Sequence, residues 1–503
     1  MTNKSRFFLF RFLLIPFLLI GLFASFLQAS PGKKLEDKVI SFRLENGLQV
    51  LLLPRHVSPT VSFYIRYRSG AVDDGDGKTG TAHFLEHLMF KGTKTIGTRN
   101  FLAEDKILRQ IAVNGEAMDD LVAQGEAKNK KEIDVLKKKL KSLQDRHKAL
   151  ILSNEIDRLY TENGAVSLNA STGQDITTYH VSLPANKIEL WARIESDRMA
   201  NPVFREFYQE RDVVLEERRQ RVESDPDSKL YEVFLNTAFA AHPYKRPIIG
   251  WTSDIGQLRL KDLEAFFRRH HAPNNTVIAV VGDMDPRRVR PVIEKYFGKM
   301  KKQAEADRRI SEEPRQIGEK RVAVHLEANP QMIIGYHKPA PPAYDDYVLE
   351  VIESILSRGR TSRFYKTLVE ERGLAEDVSV SNGTPGSRYP NLFAIFATPR
   401  HPHGNTELEA AIYEMIEILK KEPVSQAELE KIKNQVRADF IRRQSSNEGL
   451  AGMLSYYQAL LGDFRYMTTY ADIIEKITAD DIMRVSGTYL KKDNRTVAAL
   501  DKK

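Results

Sequence analysis

The sequence predicts an α+β chain of two related domains. Each is an α/β roll, a mixed and mainly antiparallel sheet packed with helices, and the first carries a helical-hairpin insertion. Three observations lead there. At 503 residues the chain is too long for one hydrophobic core. Runs with strand character alternate with stretches of helical periodicity. The second half replays the first at low fidelity: Arg495-Thr496-Val497-Ala498-Ala499-Leu500-Asp501 at the end echoes Asn275-Thr276-Val277-Ile278-Ala279-Val280-Val281.

Residues 1–30 read as a signal peptide or an N-terminal anchor. Lys4, Arg6 and Arg11 lead into an apolar run from Phe12 to Phe26, broken only by Pro16, Gly21 and small residues. Cleavage after Ala29 is one expectation, although Leu27 is larger than the residue usual there. Retention as an anchor, with membrane association through the N-terminus, is the other. Both predict an exported protein of the periplasm or envelope. The chain has no cysteine, so disulfides and a lipid-modified cysteine are excluded, and any metal must rest on histidine and carboxylate. Of the formal charge of +8, the leader holds three, leaving +5 for the remainder. With no basic stripe interleaved by aromatics, nucleic acid is not an expected partner.

Ile40 to Leu44, Leu48 to Leu53 and Thr60 to Tyr67 read as strands, the first two joined by the Glu45-Asn46-Gly47 turn. A long charged segment, about 101–160, follows a short apolar helix. Ile133, Leu136, Leu140, Leu143 and Leu150 form a heptad-like seam there, and Gly125 to Lys148 holds nine Lys/Arg against four Asp/Glu. The expectation is an antiparallel helical hairpin with Phe101 to Ala123 as its first arm and a solvated basic face. A docking surface for a partner or an anionic membrane is the alternative. Val166 to Leu183 is β-like, Lys187 to Met199, Glu206 to Val222 and Lys229 to Ala240 are helical, and Asn274 to Val281 is a strand. This divides the chain into a first domain over 36–297, a polar linker over 298–318 around Pro314, and a second domain over 319–503. In the second domain Arg321 to Leu326 and Met332 to Tyr336 read as strands, and Asp346 to Leu356 as a helix.

The short apolar helix carries His83-Phe84-Leu85-Glu86-His87. Residues four apart lie about 40° from each other around a helix, so His83 and His87 point the same way and Glu86 reaches the same region. Phe84, Leu85, Leu88, Met89 and Phe90 make the helix apolar nearly all round, which predicts burial. Buried polar groups need partners, and a divalent metal satisfies all three; two histidines hydrogen-bonded in a core is the bland alternative. The spacing is the H-x-x-E-H arrangement of the inverted zincins, histidines on zinc and glutamate as base. Catalytic zinc takes a third protein ligand. In Phe207 to Glu217 a helical wheel sets Phe207, Glu210, Val214 and Glu217 on one face and Arg205, Gln209, Asp212, Glu216 and Arg219 on the polar one. Glu210 and Glu217 are thus the two carboxylates placed on the buried face.

The chain resembles the pitrilysin/insulinase family of zinc peptidases, which includes the mitochondrial processing peptidase subunits. The likeness covers most of residues 36–503. It rests on Gly80 through Thr93, Asn169-Ala170-Ser171-Thr172, Glu210-Arg211-Asp212-Val213 with Glu217, His242-Pro243-Tyr244 followed by Gly250, and Asn275 through Asp283. The resemblance implies a zinc endopeptidase with one Zn2+ per chain on His83, His87 and Glu217, Glu86 as general base, and Glu210 supporting the site. It also implies that peptide substrates, unfolded or short, bind as an added strand along Asn169, Ala170, Ser171 and Thr172. Where the first half has the motif, the second has Glu350-Val351-Ile352-Glu353-Ser354, so only one half can hold metal. One departure stands out. Active members carry an arginine and, seven residues on, a tyrosine in the segment after Ser362-Arg363-Phe364, and here those positions hold Val369 and Glu376. The expected active form is therefore a heterodimer whose sister subunit supplies the Arg/Tyr pair. A catalytically silent structural or chaperone-like subunit of the same fold, and an adaptor working through the hairpin, are the alternatives.

Overall fold

The computed structural model describes residues 34–502, so the leader expectation lies outside the described residues. Two sheets organise the chain. The first contains β1 (Ile40–Arg43), β2 (Gln49–Pro54), β3 (Thr60–Tyr67), β4 (Val166–Thr172), β5 (Thr177–Pro184) and β6 (Thr276–Gly282), in the order β1-β2-β6-β3-β5-β4. The second contains β7 (Lys320–Leu326), β8 (Gln331–Lys338), β9 (Ala375–Thr384), β10 (Asn391–Pro399) and β11 (Arg495–Lys502), in the order β7-β11-β8-β10-β9. Leaving out β1, the two orders correspond strand for strand. In each sheet the neighbour pairs are antiparallel except one, β2 with β6 and β7 with β11. The predicted class holds: α+β, two mixed and mainly antiparallel sheets packed with helices.

β6 is buried on both faces, which is why it reads as an unbroken apolar run rather than an alternating one. Ile278 and Val280 pack with Phe63, Trp191 and Phe297 of the first half. Val277, Ala279 and Val281 face a cluster that contains Ile334, Leu450 and Leu454 of the second. The halves exchange helices. Pro226–Ala238 lies on β7, β8 and β11, and Asn447–Leu461 lies on β3 and β6. Leu230, Phe234 and Leu235 pack there with Ile333, Leu392 and Leu500, and burial of each such side chain contributes roughly 2 kcal/mol. The two halves therefore share their cores.

The hairpin forms as expected, with Phe101–Ala123 and Lys130–Lys148 as its arms and Ile133, Leu140 and Leu143 buried between them. Asn100 caps the first arm by accepting the Ala103 N–H. At its root sits a buried ionic cluster. Glu104 accepts from Arg205 Nε at 2.6 Å and from Nη2 at 3.0 Å, and meets His147 Nε2 at 2.7 Å. The helical wheel sets Arg205 on the polar face, and the structure corrects this: Arg205 is fully buried. The helix begins only at Phe207, so the wheel does not extend back to it. Burial alone would push the Glu104 carboxyl up, but hydrogen bonds from His147 and Arg205 outweigh it and hold it down at about 2, against an ordinary 4.5. A depressed carboxyl adds stability above its unfolded value, and that increment is lost as pH falls through the folded one. Glu104→Gln is therefore expected to remove about 3 kcal/mol at pH 7 and to flatten the acid limb of the stability curve between pH 4.5 and 2. Urea denaturation at stepped pH measures both, and an unaltered acid limb would contradict the assignment.

Candidate metal centre

The motif helix, Thr81–Leu88, is held at its start by Asp74. That carboxylate accepts the backbone N–H of Gly80 at 2.8 Å and of Ala82 at 3.0 Å, satisfying donors that a first helical turn leaves open. Gly80 has φ 86, and a Cβ there would stand 2.4 Å from the Ile249 carbonyl oxygen; at Gly250 it would meet Thr79 O at 2.3 Å. Two glycines are needed because two backbones touch. Thr81, Ala82, Phe84, Leu85 and Leu88 are buried, as the apolar composition predicts. Phe84 stacks on Phe207 with ring centroids 5.2 Å apart, and this contact docks the motif helix on the helix Phe207–Arg218.

That docking brings three expected ligands together. One ligand atom each from His83, His87 and Glu217 lies within 4.8 Å of the others. Glu217 Oε2 is 3.8 Å from His83 Nε2 and 3.5 Å from His87 Nε2, beyond hydrogen-bonding range. The same oxygen is buried and has no hydrogen-bond partner. Bonds of about 2.1 Å to a tetrahedral zinc place ligand atoms about 3.4 Å apart, so the residues present fit the metal. An orphaned carboxylate oxygen facing two imidazole nitrogens is otherwise costly. Among the described residues this is the one such cluster of histidine and carboxylate.

The neighbours of each ligand are specific. His87 Nδ1 meets Glu210 Oε1 at 2.9 Å, and Lys91 Nζ lies 2.6 Å from Glu210 Oε2. Arg221 Nη1 lies 2.9 Å from Glu217 Oε1, leaving Oε2 for the histidines. Burial pushes His83 down to about 3, with the charges of His87 and Arg221 adding to it, so its imidazole is neutral. Burial also pushes His87 down, but the hydrogen bond and charge of Glu210 outweigh it and hold His87 above its ordinary value. Glu86 is raised by burial against a hydrogen bond donated by Thr172 Oγ1.

The residues expected to bind substrate, Asn169, Ala170, Ser171 and Thr172, lie on β4, the outermost strand of its sheet, which among the described residues pairs only with β5. The register breaks between Val166 and Asn169, with Ser167 at φ 54, and the strand then runs regularly to Thr172, at Glu86. A cavity of about 300 Å³ opens beside the site, bounded by His83, Thr172, Glu217, Tyr231, Ile249 and Pro385, the last from the second half. Sequence reasoning did not reach Asp74, Lys91 or Arg221. Lys91 and Arg221 each follow a site residue by four positions, so helical spacing was a usable signal for both. Asp74 acts across a loop and left no periodic trace.

The Insulinase (Peptidase family M16) model matches residues 49–115 and 151–252, and the Peptidase M16 inactive domain model matches residues 257–436. The chain belongs to the M16 (insulinase/pitrilysin) family. It is 29% identical over 470 residues to the zinc protease PqqE of Helicobacter pylori, covering 92% of each. A protease from Helicobacter pylori of known crystal structure superposes with a TM-score of 0.78 at 28% identity, over 92% of this chain and 99% of that one. The periplasmic protease PqqL of Escherichia coli superposes with a TM-score of 0.68 at 17% identity, over 92% of this chain but 48% of that longer one, a likeness of fold. The second half of the chain lacks the motif. There the helix Tyr344–Ser357 takes the motif helix's place between β8 and β9, and its acids are engaged otherwise. Asp346 pairs with Lys338, Glu350 accepts the Tyr470 hydroxyl, and Glu353 accepts the Asn382 N–H. Burial, with the charge of Glu350, pushes Glu353 up to about 7.

Proposed function

We propose that the chain is a zinc-dependent endopeptidase subunit acting on unfolded or short peptides. His83, His87 and Glu217 would hold one zinc ion, Glu210 would orient His87, and Glu86 would serve as general base. The observation that carries this reading is the buried, partnerless Oε2 of Glu217 facing both Nε2 atoms. Bound zinc supplies Lewis-acid chemistry, polarising a scissile carbonyl and bringing the pKa of a water toward about 7.

The chain's own residues do the rest. A peptide adding to the free edge of β4 extends along Asn169 to Thr172 and is delivered to Glu86, because Thr172 Oγ1 is hydrogen-bonded to that carboxylate. Main-chain pairing of this kind reads extended conformation, which suits unfolded or short substrates. Burial favours the protonated form of Glu86, so the carboxylate is a stronger base than an exposed one. It takes a proton from the attacking water and returns it to the leaving amine nitrogen. Glu210 and Lys91 keep the His87 ring turned so that Nε2 points inward.

Heterodimer formation is part of the proposal. Val369 is buried and Glu376 exposed on β9, and neither donates a hydrogen bond to an oxyanion at neutral pH. A sister chain of the same fold would supply the Arg/Tyr pair. The length of PqqL, about twice this chain at the same fold, is in keeping with paired units. Export to the periplasm or envelope through residues 1–30 accords with the description of that neighbour as periplasmic. No helix of the described residues is long and apolar enough to cross a membrane. Val369 and Glu376 also favour one second reading, a silent structural subunit. Metal analysis and a quenched-peptide assay separate the two. The enzyme reading expects one zinc per chain and cleavage by the complete, partner-bound form that a chelator stops and added zinc restores. A complete complex without zinc or cleavage would leave the structural reading.

A further inference from the structure

Arg211 lies in the Glu210-Arg211-Asp212-Val213 stretch shared with the family, yet its carboxylate partner comes from the hairpin. Asp119 accepts from Nη1 at 3.2 Å and 3.3 Å and from Nη2 at 3.2 Å, and the pair is buried. Asp119 is the only acid within ion-pair distance of Arg211 among the described residues. It falls in residues 116–150, the stretch that the family model passes over. One turn earlier, Gly115 lets the hairpin helix touch Tyr208 directly: a Cβ there would stand 1.9 Å from the Tyr208 hydroxyl oxygen. The Arg211 guanidinium in turn lies over the rings of Tyr208 and Phe207, 5.1 Å and 5.9 Å from their centroids. Phe207 is the residue that stacks on Phe84, next to His83.

These contacts run without a gap from the insertion to the metal centre. We propose that the hairpin is a brace for the ligand-bearing helix, with Asp119, through Arg211, and the Gly115–Tyr208 contact positioning Glu210 and Glu217 against the motif histidines. The proposal rests on the zinc reading given above. Its physical basis is that both carboxylates ride on the helix Phe207–Arg218. Glu210 meets His87 Nδ1 and Glu217 Oε2 faces the two Nε2 atoms, so a shift of that helix displaces both at once. A buried guanidinium fixed from behind holds the helix in place. Without Asp119, Arg211 keeps, besides the two rings, only the Leu258 carbonyl at 3.2 Å as a hydrogen-bond partner among the described residues. The helix must then move to bring the cation to water or to another carboxylate, and metal affinity is sensitive to such displacement. The second arm braces the first through the Ile133, Leu140 and Leu143 seam and the His147–Glu104 contact. The adaptor reading leaves this inner face unexplained.

The test uses the full chain with Asp119→Ala, Asp119→Asn, Asp119→Glu and Gly115→Ala. Zinc affinity is read by competition with a chromophoric chelator, and amide hydrogen exchange over Phe207–Arg218 is read on the metal-free protein. Asp119→Ala and Gly115→Ala are expected to weaken zinc binding by about 10- to 100-fold and to speed exchange in that helix, and Asp119→Glu to restore both. A change in melting temperature alone, with zinc affinity and helix exchange as in the wild type, overturns the brace. Should Asp119→Ala fail to fold, Asp119→Asn, which keeps the shape and one acceptor, decides by the same two readings. A wild-type chain that binds no zinc removes the zinc reading itself, while the exchange data still decide whether the hairpin holds the helix.

Discussion

Glu86→Gln is expected to leave the fold and the bound zinc in place and to lower kcat on a quenched peptide by about 10²- to 10⁴-fold. The amide has the shape of the carboxylate and still accepts from Thr172 Oγ1, so packing at the site is preserved. What it loses is the capacity to take a proton. Because Glu86 is outside the ligand set, metal content measured on the same preparation should match the wild type, whereas His83→Ala or Glu217→Ala should lose the metal. The measurement is therefore paired: zinc per chain and turnover in the same sample, in the presence of the partner. Retention of full turnover by Glu86→Gln would sink the assignment of the base, even with zinc bound.

The second large effect concerns the partner. The purified chain alone, loaded with zinc, is expected to cleave peptides at least 10²-fold more slowly than the complex recovered with its sister chain, the scale of losing one oxyanion donor. The reason is local: a second copy of this chain would again bring Val369 and Glu376 to the positions where donors are needed. Co-purification from the natural host, mass spectrometry of the bound chains and recombination of the separated subunits provide the test. Full activity from the isolated chain would rule out the heterodimer requirement and direct attention to cations already at the site, such as Arg221.

Much of the site was legible because its information is local. Four-residue spacing puts His83 and His87 on one side of a helix whatever surrounds it, and the apolar neighbours announce that the helix is buried. The wheel narrowed the third ligand to Glu210 and Glu217. The structure brings both to the site, one against His87 Nδ1 and the other against the two Nε2 atoms. Arg205 shows where this reasoning fails. A wheel extended two residues beyond the helix start put a buried guanidinium on the solvent side, since nothing in the sequence announced Glu104 as its partner a hundred residues away. Thr172 was expected to contact substrate, and its bond to Glu86 was invisible because it joins two separate elements.

By itself, then, the sequence left β9, β10 and the helices between Asn405 and Tyr489 unread, but it determined most strands of the first sheet, the hairpin and ligand-bearing helices, the echo of one half in the other, and the residues carried on the faces of His83–His87 and Glu210–Glu217. These follow from periodicity, which is a property of neighbours along the chain. Tertiary structure alone decided that each half lays a helix on the other half's sheet, that the edge of β4 ends at Glu86, and that an inserted hairpin supplies the carboxylate for Arg211. Those outcomes depend on which surfaces find complementary shape and charge across long separations. A residue's own neighbourhood in sequence does not specify its partner there.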